Sequence, residues 1–383
     1  MRLLFVVNHA PFFVSHRLPI AEEMLRRGHD VTLAYGYSGN VQSDEKALKI
    51  AGNTGIRLLC HRMIPDSLNF LYELLTVLRI FWQIVTCKPD LVHLVTPKCN
   101  FYGGLICRIL RINYVCAISG FGSMMTSQVD LTKKAKTWIT FKLWIFGRAF
   151  DSRKCQVIVQ NSEDYTLVSN ASARCEINLI RGSGIDLDVF KVTNLEIESK
   201  KNIILFPARV LKDKGIREFC YAAKQLKIDY PNCRFLIAGD LRYPNPSALS
   251  EQEIKFFTEF PVEFLGHTND MVSLLKISKI ACLPSYREGM PKSLLEAASM
   301  GCAVVTTDAP GCKEAIIEGQ TGLLVRPYDA KDLTDKLHFL LKDEGETKRL
   351  GFNGVQFAKG NFSIQSVISL HLGIYERAVR VHG

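Results

Sequence analysis

The chain has 383 residues and a mass of 43.1 kDa, more than one hydrophobic core of ~250–300 residues serves, so two or three domains are expected. Hydrophobic residues make up 47% and charged residues 22%, a globular balance that excludes disorder, collagen and long coiled coil. The net charge of +10 is concentrated: ten Lys/Arg against two carboxylates lie between Lys98 and Lys154, which points to an anionic partner such as phosphate, lipid headgroups or nucleic acid.

The apolar run Leu3–Val7 is cut off by Asn8 and His9. It is shorter than the ~7–15 residues of a signal-peptide core and reads as a buried strand. No uncharged apolar run reaches the ~18 residues of a membrane span. A helical pattern follows from Arg17 to Arg27 and closes at Gly28, and His29–Ala34 is the next strand. The same rhythm continues with strands at 90–95, 114–118 and 156–159. A polar, aperiodic stretch over 188–201 breaks it. The second half repeats it, with strands at 202–207, 234–238, 262–265, 280–283 and 303–306. Strands separated by helices make βαβ units and a parallel sheet. The expectation is an α/β chain of two doubly wound parallel-sheet domains, 1–190 and 191–362. A C-terminal helix over 363–383 is expected to pack back toward the first. Ligands of such sheets bind beyond the carboxyl ends of the strands, which places the site in a cleft between facing domains. The twelve cysteines form no C-x-x-C pair, so they read as small buried hydrophobes of a reducing compartment, the cytosol.

The most informative stretch runs from Leu283 to Gly301. A strand ends at Leu283, a loop carries Glu288 and Gly289, and Pro291 takes the first helical position of a helix ending at Gly301. Its first-turn N–H groups make an anion site. Glu288 and Glu296 reach different parts of an extended ligand, or else simply favour the helix dipole. Arg209 and Lys214 share a strand-to-helix turn and suit a diphosphate, or an ordinary solvated loop. Gly120-Phe-Gly122-Ser follows the strand ending at 118, where glycines permit close backbone approach. The Asn8–Arg17 loop faces the same cleft and offers His16 or Arg17 to substrate. Asp186-Leu-Asp188 has metal-diphosphate spacing but lies at the domain junction, and no metal is expected there. The segment 131–150 mixes Lys133, Lys134, Lys136 and Lys142 with Trp138 and Trp144. It reads as a helix on an anionic membrane surface, or as one packed on its sheet with a charged outer face.

Together these stretches resemble family 4 glycosyltransferases of the GT-B fold, two Rossmann-like domains facing across a cleft. The resemblance covers nearly the whole chain. It is most specific at Glu288-x7-Glu296 within Pro-Ser-Tyr-Arg-Glu-Gly-Met-Pro. It continues through Asp308-Ala-Pro-Gly311 and Gly319-Gln-Thr-Gly322, and Gly184–Phe190 matches the family's domain junction. The opening His9–Arg17 and the Gly-x-Gly-Ser loop look like the branch that builds capsule, O-antigen and lipid-linked glycans. The resemblance implies a retaining hexosyltransferase with an acceptor-side first domain and a nucleotide-sugar-binding second domain, needing no metal or other cofactor. Glu288 would hold donor-sugar hydroxyls, Glu296 the ribose, and Arg209 and Lys214 the leaving diphosphate. Gly289, Met290, Pro291, Ser293, Gly120, Gly122 and Ser119 would approach sugar and phosphate. Relatives often carry histidine where Ser119 stands, and His16 is the candidate to replace its contact. A UDP-N-acetylhexosamine donor and a polyprenyl-diphosphate-linked acceptor are expected. So is a peripheral location on the inner face of the cytoplasmic membrane, with no nucleic acid as partner. A nucleotide-sugar epimerase on the same fold, or a non-enzymatic anion-binding protein, remains as the alternative.

Overall fold

A computed structural model describes residues 1–63, 69–120, 147–242, 245–268 and 270–380. The first half runs β1 (Arg2–Val7), α1 (Ala10–His16), α2 (Leu18–Arg26), β2 (Asp30–Tyr35), α3 (Val41–Asn53), β3 (Arg57–Cys60) and α4 (Phe70–Cys87). Then come β4 (Leu91–Val95), α5 (Pro97–Leu110), β5 (Tyr114–Ile118), a helical turn α6 (147–150), β6 (Cys155–Val159), α7 (Ser162–Ala171) and β7 (Glu176–Leu179). The second half runs α8 (Asn194–Glu198), β8 (Lys201–Phe206), α9 (Ile216–Asp229), β9 (Arg234–Ala238), α10 (Glu251–Thr258), β10 (Glu263–Gly266) and α11 (Met271–Ile277). It continues with β11 (Ser278–Leu283), α12 (Lys292–Ser299), β12 (Ala303–Thr307), β13 (Gly322–Val325), α13 (Ala330–Lys342), α14 (Glu344–Asn361) and α15 (Ile364–Arg380).

The strands form two sheets, ordered β3-β2-β1-β4-β5-β6-β7 and β10-β9-β8-β11-β12-β13. Every pairing between these strands is parallel. Each sheet winds outward from its first strand and then reverses, so each has a switch point, β1/β4 in one and β8/β11 in the other. Central strands covered by helices on both faces are buried along their whole length: β4 and β5 are buried at every position, His93 of β4 included.

The chain divides into two compact units, 1–183 with 365–383, and 184–364. The division falls seven residues before the expected boundary at 190, because Ile185 and Phe190 pack in the second core. Ile185 N–H donates to Phe362 O at 2.8 Å, and Ile364 N–H donates to Ile185 O at 2.9 Å. Helix α15 returns to the first unit, where Val367, Leu372, Ile374, Tyr375 and Ala378 share a core with Leu3, Phe5, Val7 and Phe13. Beneath it lies a buried polar cluster. Arg17 donates to His16 O (3.0 Å) and Ser183 Oγ (3.4 Å), and His93 Nδ1 lies 2.5 Å from the Tyr375 hydroxyl. His93 and His371 stack at 5.9 Å.

Two local readings need correction. The Asn8–Arg17 stretch is not a loop. His9 caps α1 by accepting from Phe12 N–H, and Pro11 sits in the first turn, where a missing N–H costs nothing. Pro291 is the cap of α12 rather than its first residue, with Leu294 N–H donating to its carbonyl at 3.0 Å.

Candidate active site

The second unit builds its site at the β8/β11 switch point. Past β8, the chain crosses Arg209 and a short turn to Gly215 at the head of α9. Gly215 has φ 74°, and a Cβ there would overlap Pro284 O. The residue is glycine because this turn lies directly on the loop leaving β11. Asp213 O accepts from Tyr286 N–H (2.9 Å) and Ser285 Oγ (3.0 Å), so the two loops are tied by backbone as well. The result is a contact between side chains 74 residues apart: Lys214 Nζ lies 2.5 Å from Glu288 Oε1. Both are largely shielded, at 14% and 15% exposure.

A third loop completes the arrangement. Glu288 N–H donates to Pro310 O at 2.9 Å. Gly311, at φ 78°, leaves no room for a Cβ against Glu288 O and Gly289 O, and its N–H donates to Glu314 at 2.8 Å. Met290 and Pro291 lead into α12, whose first-turn amides point out of its N-terminal end toward this loop. Ser293 is half-buried in that first turn. Glu296, one turn further, lies 3.7 Å from Lys292. Burial raises its carboxyl above the usual range, and Lys292 only partly opposes this. Arg209 is exposed beside Asp213.

Asp213 was not legible as a site residue inside Leu-Lys-Asp-Lys. Its Oδ1 is buried without a hydrogen-bond partner among the described residues. Burial raises its pKa, Lys214 opposes the rise and Glu288 adds to it. An acid between two lysines was the available signal.

The first unit carries uncharged polar groups at the same edge. Asn8, Thr96 and Ser119 directly follow β1, β4 and β5, which are neighbours in the sheet. Their side-chain oxygens are buried without a partner among the described residues. Thr96 has φ 76° and ψ 152°, a costly conformation for a β-branched residue and one that concentrates at ligand sites. Gly120 follows at φ 104°. Asn8 and Thr96 went unrecognised because a lone polar residue after an apolar strand looks like any strand end.

His16 ends α1, six residues or about 9 Å along a helix that starts at this edge. Its ring stacks on Phe12 at 4.3 Å. Arg17 is not a substrate contact, because it is 1% exposed and burial brings its pKa down to about 10. Asp186 accepts from Asp188 N–H at 2.9 Å, closing a turn at the junction. Gly122 and the membrane-contact candidates Lys133, Lys134, Lys136, Trp138, Lys142 and Trp144 lie outside the described residues. All twelve cysteines are free thiols.

Two family descriptions match the chain: Glycosyltransferase Family 4 over residues 16–165 and Glycosyl transferases group 1 over residues 190–357. The chain belongs to the family 4 glycosyltransferases and has the GT-B fold; it is a hexosyltransferase. A Campylobacter jejuni relative, N,N'-diacetylbacillosaminyl-diphospho-undecaprenol alpha-1,3-N-acetylgalactosaminyltransferase, is 29% identical over 99% of this chain and 100% of its own. A second C. jejuni enzyme, an alpha-1,4-N-acetyl-D-galactosaminyltransferase acting on a GalNAc-extended diNAcBac-PP-undecaprenol, is 31% identical over 67% of this chain and 69% of its own. Among solved structures, Anabaena HepE in complex with UDP and glucose superposes with a TM-score of 0.75 at 18% identity, covering 98% of this chain and 99% of its own.

Proposed function

We propose that this chain is a retaining glycosyltransferase that moves an N-acetylhexosamine from a UDP-sugar to a polyprenyl-diphosphate-linked glycan during surface-polysaccharide assembly. It would act at the inner face of the cytoplasmic membrane, with residues 131–150 contacting anionic lipid. The observation that carries the reading is the Lys214–Glu288 pair, at 2.5 Å, standing before the N-terminus of α12. In sugar transfer the bond from the anomeric carbon to the diphosphate breaks, and negative charge develops on the leaving oxygen. In this reading Lys214, Arg209 and the α12 amides stabilise that charge, and the scheme calls on no metal.

Glu288, oriented by Lys214, accepts hydrogen bonds from donor-sugar hydroxyls. Glu296 is a desolvated carboxylate beside Lys292, and ribose hydroxyls donate to it. The acceptor hydroxyl attacks from the face the diphosphate leaves, and the leaving oxygen takes its proton, so anomeric configuration is retained. Asn8, Thr96, Ser119 and Gly120 offer neutral hydrogen-bonding groups, suited to sugar rather than phosphate. His16 takes no step in this scheme. UDP and an N-acetylhexosamine are favoured by the two N-acetylgalactosaminyltransferase relatives and by the UDP-bound neighbour.

The test incubates purified protein with a panel of nucleotide sugars, with and without a detergent-solubilised polyprenyl-diphosphate glycan. Acceptor-dependent UDP release, with an α-linked product from an α-linked donor, is expected. GDP release would overturn the donor assignment. Conversion of the nucleotide sugar without nucleotide release would make the chain an epimerase.

A further inference from the structure

Helix α4 departs from the rule that a helix in an α/β fold buries one face and wets the other. Its inward stripe is Thr76, Ile80 and Ile84, at i, i+4 and i+8, all buried. At 3.6 residues per turn, the opposite direction is taken by Leu71, Leu75, Leu78 and Trp82. These are exposed, Leu71 at 68% and Trp82 at 61%, and Phe70 and Leu74 widen the patch at the first turns. Six large apolar side chains exposed together along one helix mark a docking face. Among the described residues, α4 is the helix that length and composition would let cross a bilayer. Its inner stripe forbids that, because Ile80 and Ile84 are fully buried in the core with Leu4, Val6, Val92 and Leu94. The helix cannot enter a bilayer without leaving the fold, but it can lie on one.

We propose that the outer face of α4 docks the protein on an anionic phospholipid bilayer. The helix lies in the headgroup plane, with Leu71, Leu75, Leu78 and Trp82 in the acyl boundary. Charge selects the bilayer over a second copy of the chain. Helix α4 and its C-cap hold the cations Arg79 and Lys88, and the one carboxylate of the helix, Glu73, is already paired with Lys98. That excess repels a second copy of itself and attracts anionic headgroups. The residue at the C-terminal end of the stripe is a tryptophan, whose ring has an apolar body and one polar N–H, the chemistry favoured at a bilayer interface. Position agrees. Glu73, in the first turn of α4, accepts from Lys98 at 2.7 Å, and Lys98 begins α5 just past the carboxyl end of β4. Phe70 and Leu71 therefore sit at the ligand-binding edge of this sheet, where an acceptor with a membrane-embedded tail would arrive. This last point rests on the lipid-linked-acceptor reading; the exposure and the charge do not.

The experiment uses vesicles of phosphatidylglycerol mixed with phosphatidylcholine, with no donor or acceptor present, so its outcome is independent of whether transfer is observed. In full-length protein carrying Trp138→Phe and Trp144→Phe, Trp82 is the one tryptophan of three left. Its emission should shift to the blue on vesicle addition and be quenched most strongly by lipids brominated near the headgroup. In the otherwise unaltered chain, Leu75→Gln with Leu78→Gln should lower vesicle partitioning roughly tenfold or more while the melting temperature and circular dichroism stay put. Raising salt should weaken binding, and neutral vesicles should bind less. Vesicle binding that leaves Trp82 unshifted and unquenched would overturn the proposal and leave the 131–150 segment as the one contact. Partitioning unchanged by the double substitution would also overturn it. So would a concentration-dependent dimer that the same substitutions abolish.

Discussion

The two units order their strands alike, save for one extra edge strand in the first, yet they place their polar groups differently. In the second unit no histidine is buried among the described residues, and its buried charged side chains are Lys200, Glu218 and Arg287. The charge of its candidate site stands at the strand ends, in Arg209, Lys214, Asp213 and Glu288. In the first unit the strand ends are uncharged, while Arg17, His93, His371 and Tyr375 lie inside, each 0–1% exposed. The same topology therefore presents a charged edge on one unit and a neutral, hydroxyl-matching edge on the other. A diphosphate and a sugar ask for these two chemistries. Topology fixes where a ligand binds, and the few residues after each strand fix which ligand.

Acidification should separate the units most strongly. Burial holds His61 at about 4, His371 at about 3, and His93 well below the usual imidazole range. These rings stay neutral in the fold but take up a proton in the unfolded chain below ~6.5. Their contribution is complete above that pH and is lost as pH falls toward the folded values. Each costs about 1.4 kcal/mol per pH unit in this window, so the three together cost about 4 kcal/mol per unit. Scanning calorimetry between neutral pH and pH 5 should show the first unit's transition moving down while the second's holds. Two transitions moving together would break the comparison.

Lys214→Ala should lower turnover by about 10²–10³-fold, equivalent to about 3–4 kcal/mol, with little change in melting temperature. Measuring kcat beside a thermal melt decides this, since matched losses in both would make the Lys214–Glu288 pair a structural staple. Gly311→Ala should cost about 2–3 kcal/mol in the second unit and impair activity, because a Cβ would drive the Glu288–Gly289 backbone away. Gly319→Ala is its control: the φ is similarly positive at 68°, but the space is open. That variant should lose about 1–2 kcal/mol and keep its kcat. The smallest effect is expected at Asn8. Asn8→Ala should raise the acceptor KM by roughly tenfold, about 1.4 kcal/mol, with kcat for the surviving reaction nearly unchanged.

Buried strands were legible in the sequence because both faces of a parallel sheet are covered, which leaves apolar runs such as Leu3–Val7 and Ile280–Leu283. The strands passed over, β3, β7 and β13, are short and all three are sheet edges, the first two with half-exposed side chains. They carry too few apolar positions to stand out. Arg209, Lys214 and Glu288 were legible because each follows a recognisable strand, and the switch point brings those strands together. Thr96 was not, since its strain belongs to the backbone and has no signature in residue type. The outer stripe of α4 could be read as apolar but not as exposed, because a one-dimensional pattern cannot say which of two apolar stripes faces the sheet.

The return of α15 to the first unit bears on how the protein is made. Synthesis proceeds from the amino end at ~5–20 residues per second, and domains usually close in that order. Here the first unit's strands emerge early, but the helix that covers Phe5, Arg17 and His93 follows the whole of residues 184–364. That interval lasts roughly 10–40 s at those rates. Through it the nascent first sheet carries an uncovered apolar face, while the second unit, contiguous in sequence, can close alone. The unit synthesised first is therefore the last to be completed. A frameshift or stop codon far downstream, anywhere before residue 365, removes the cover of the amino-terminal half.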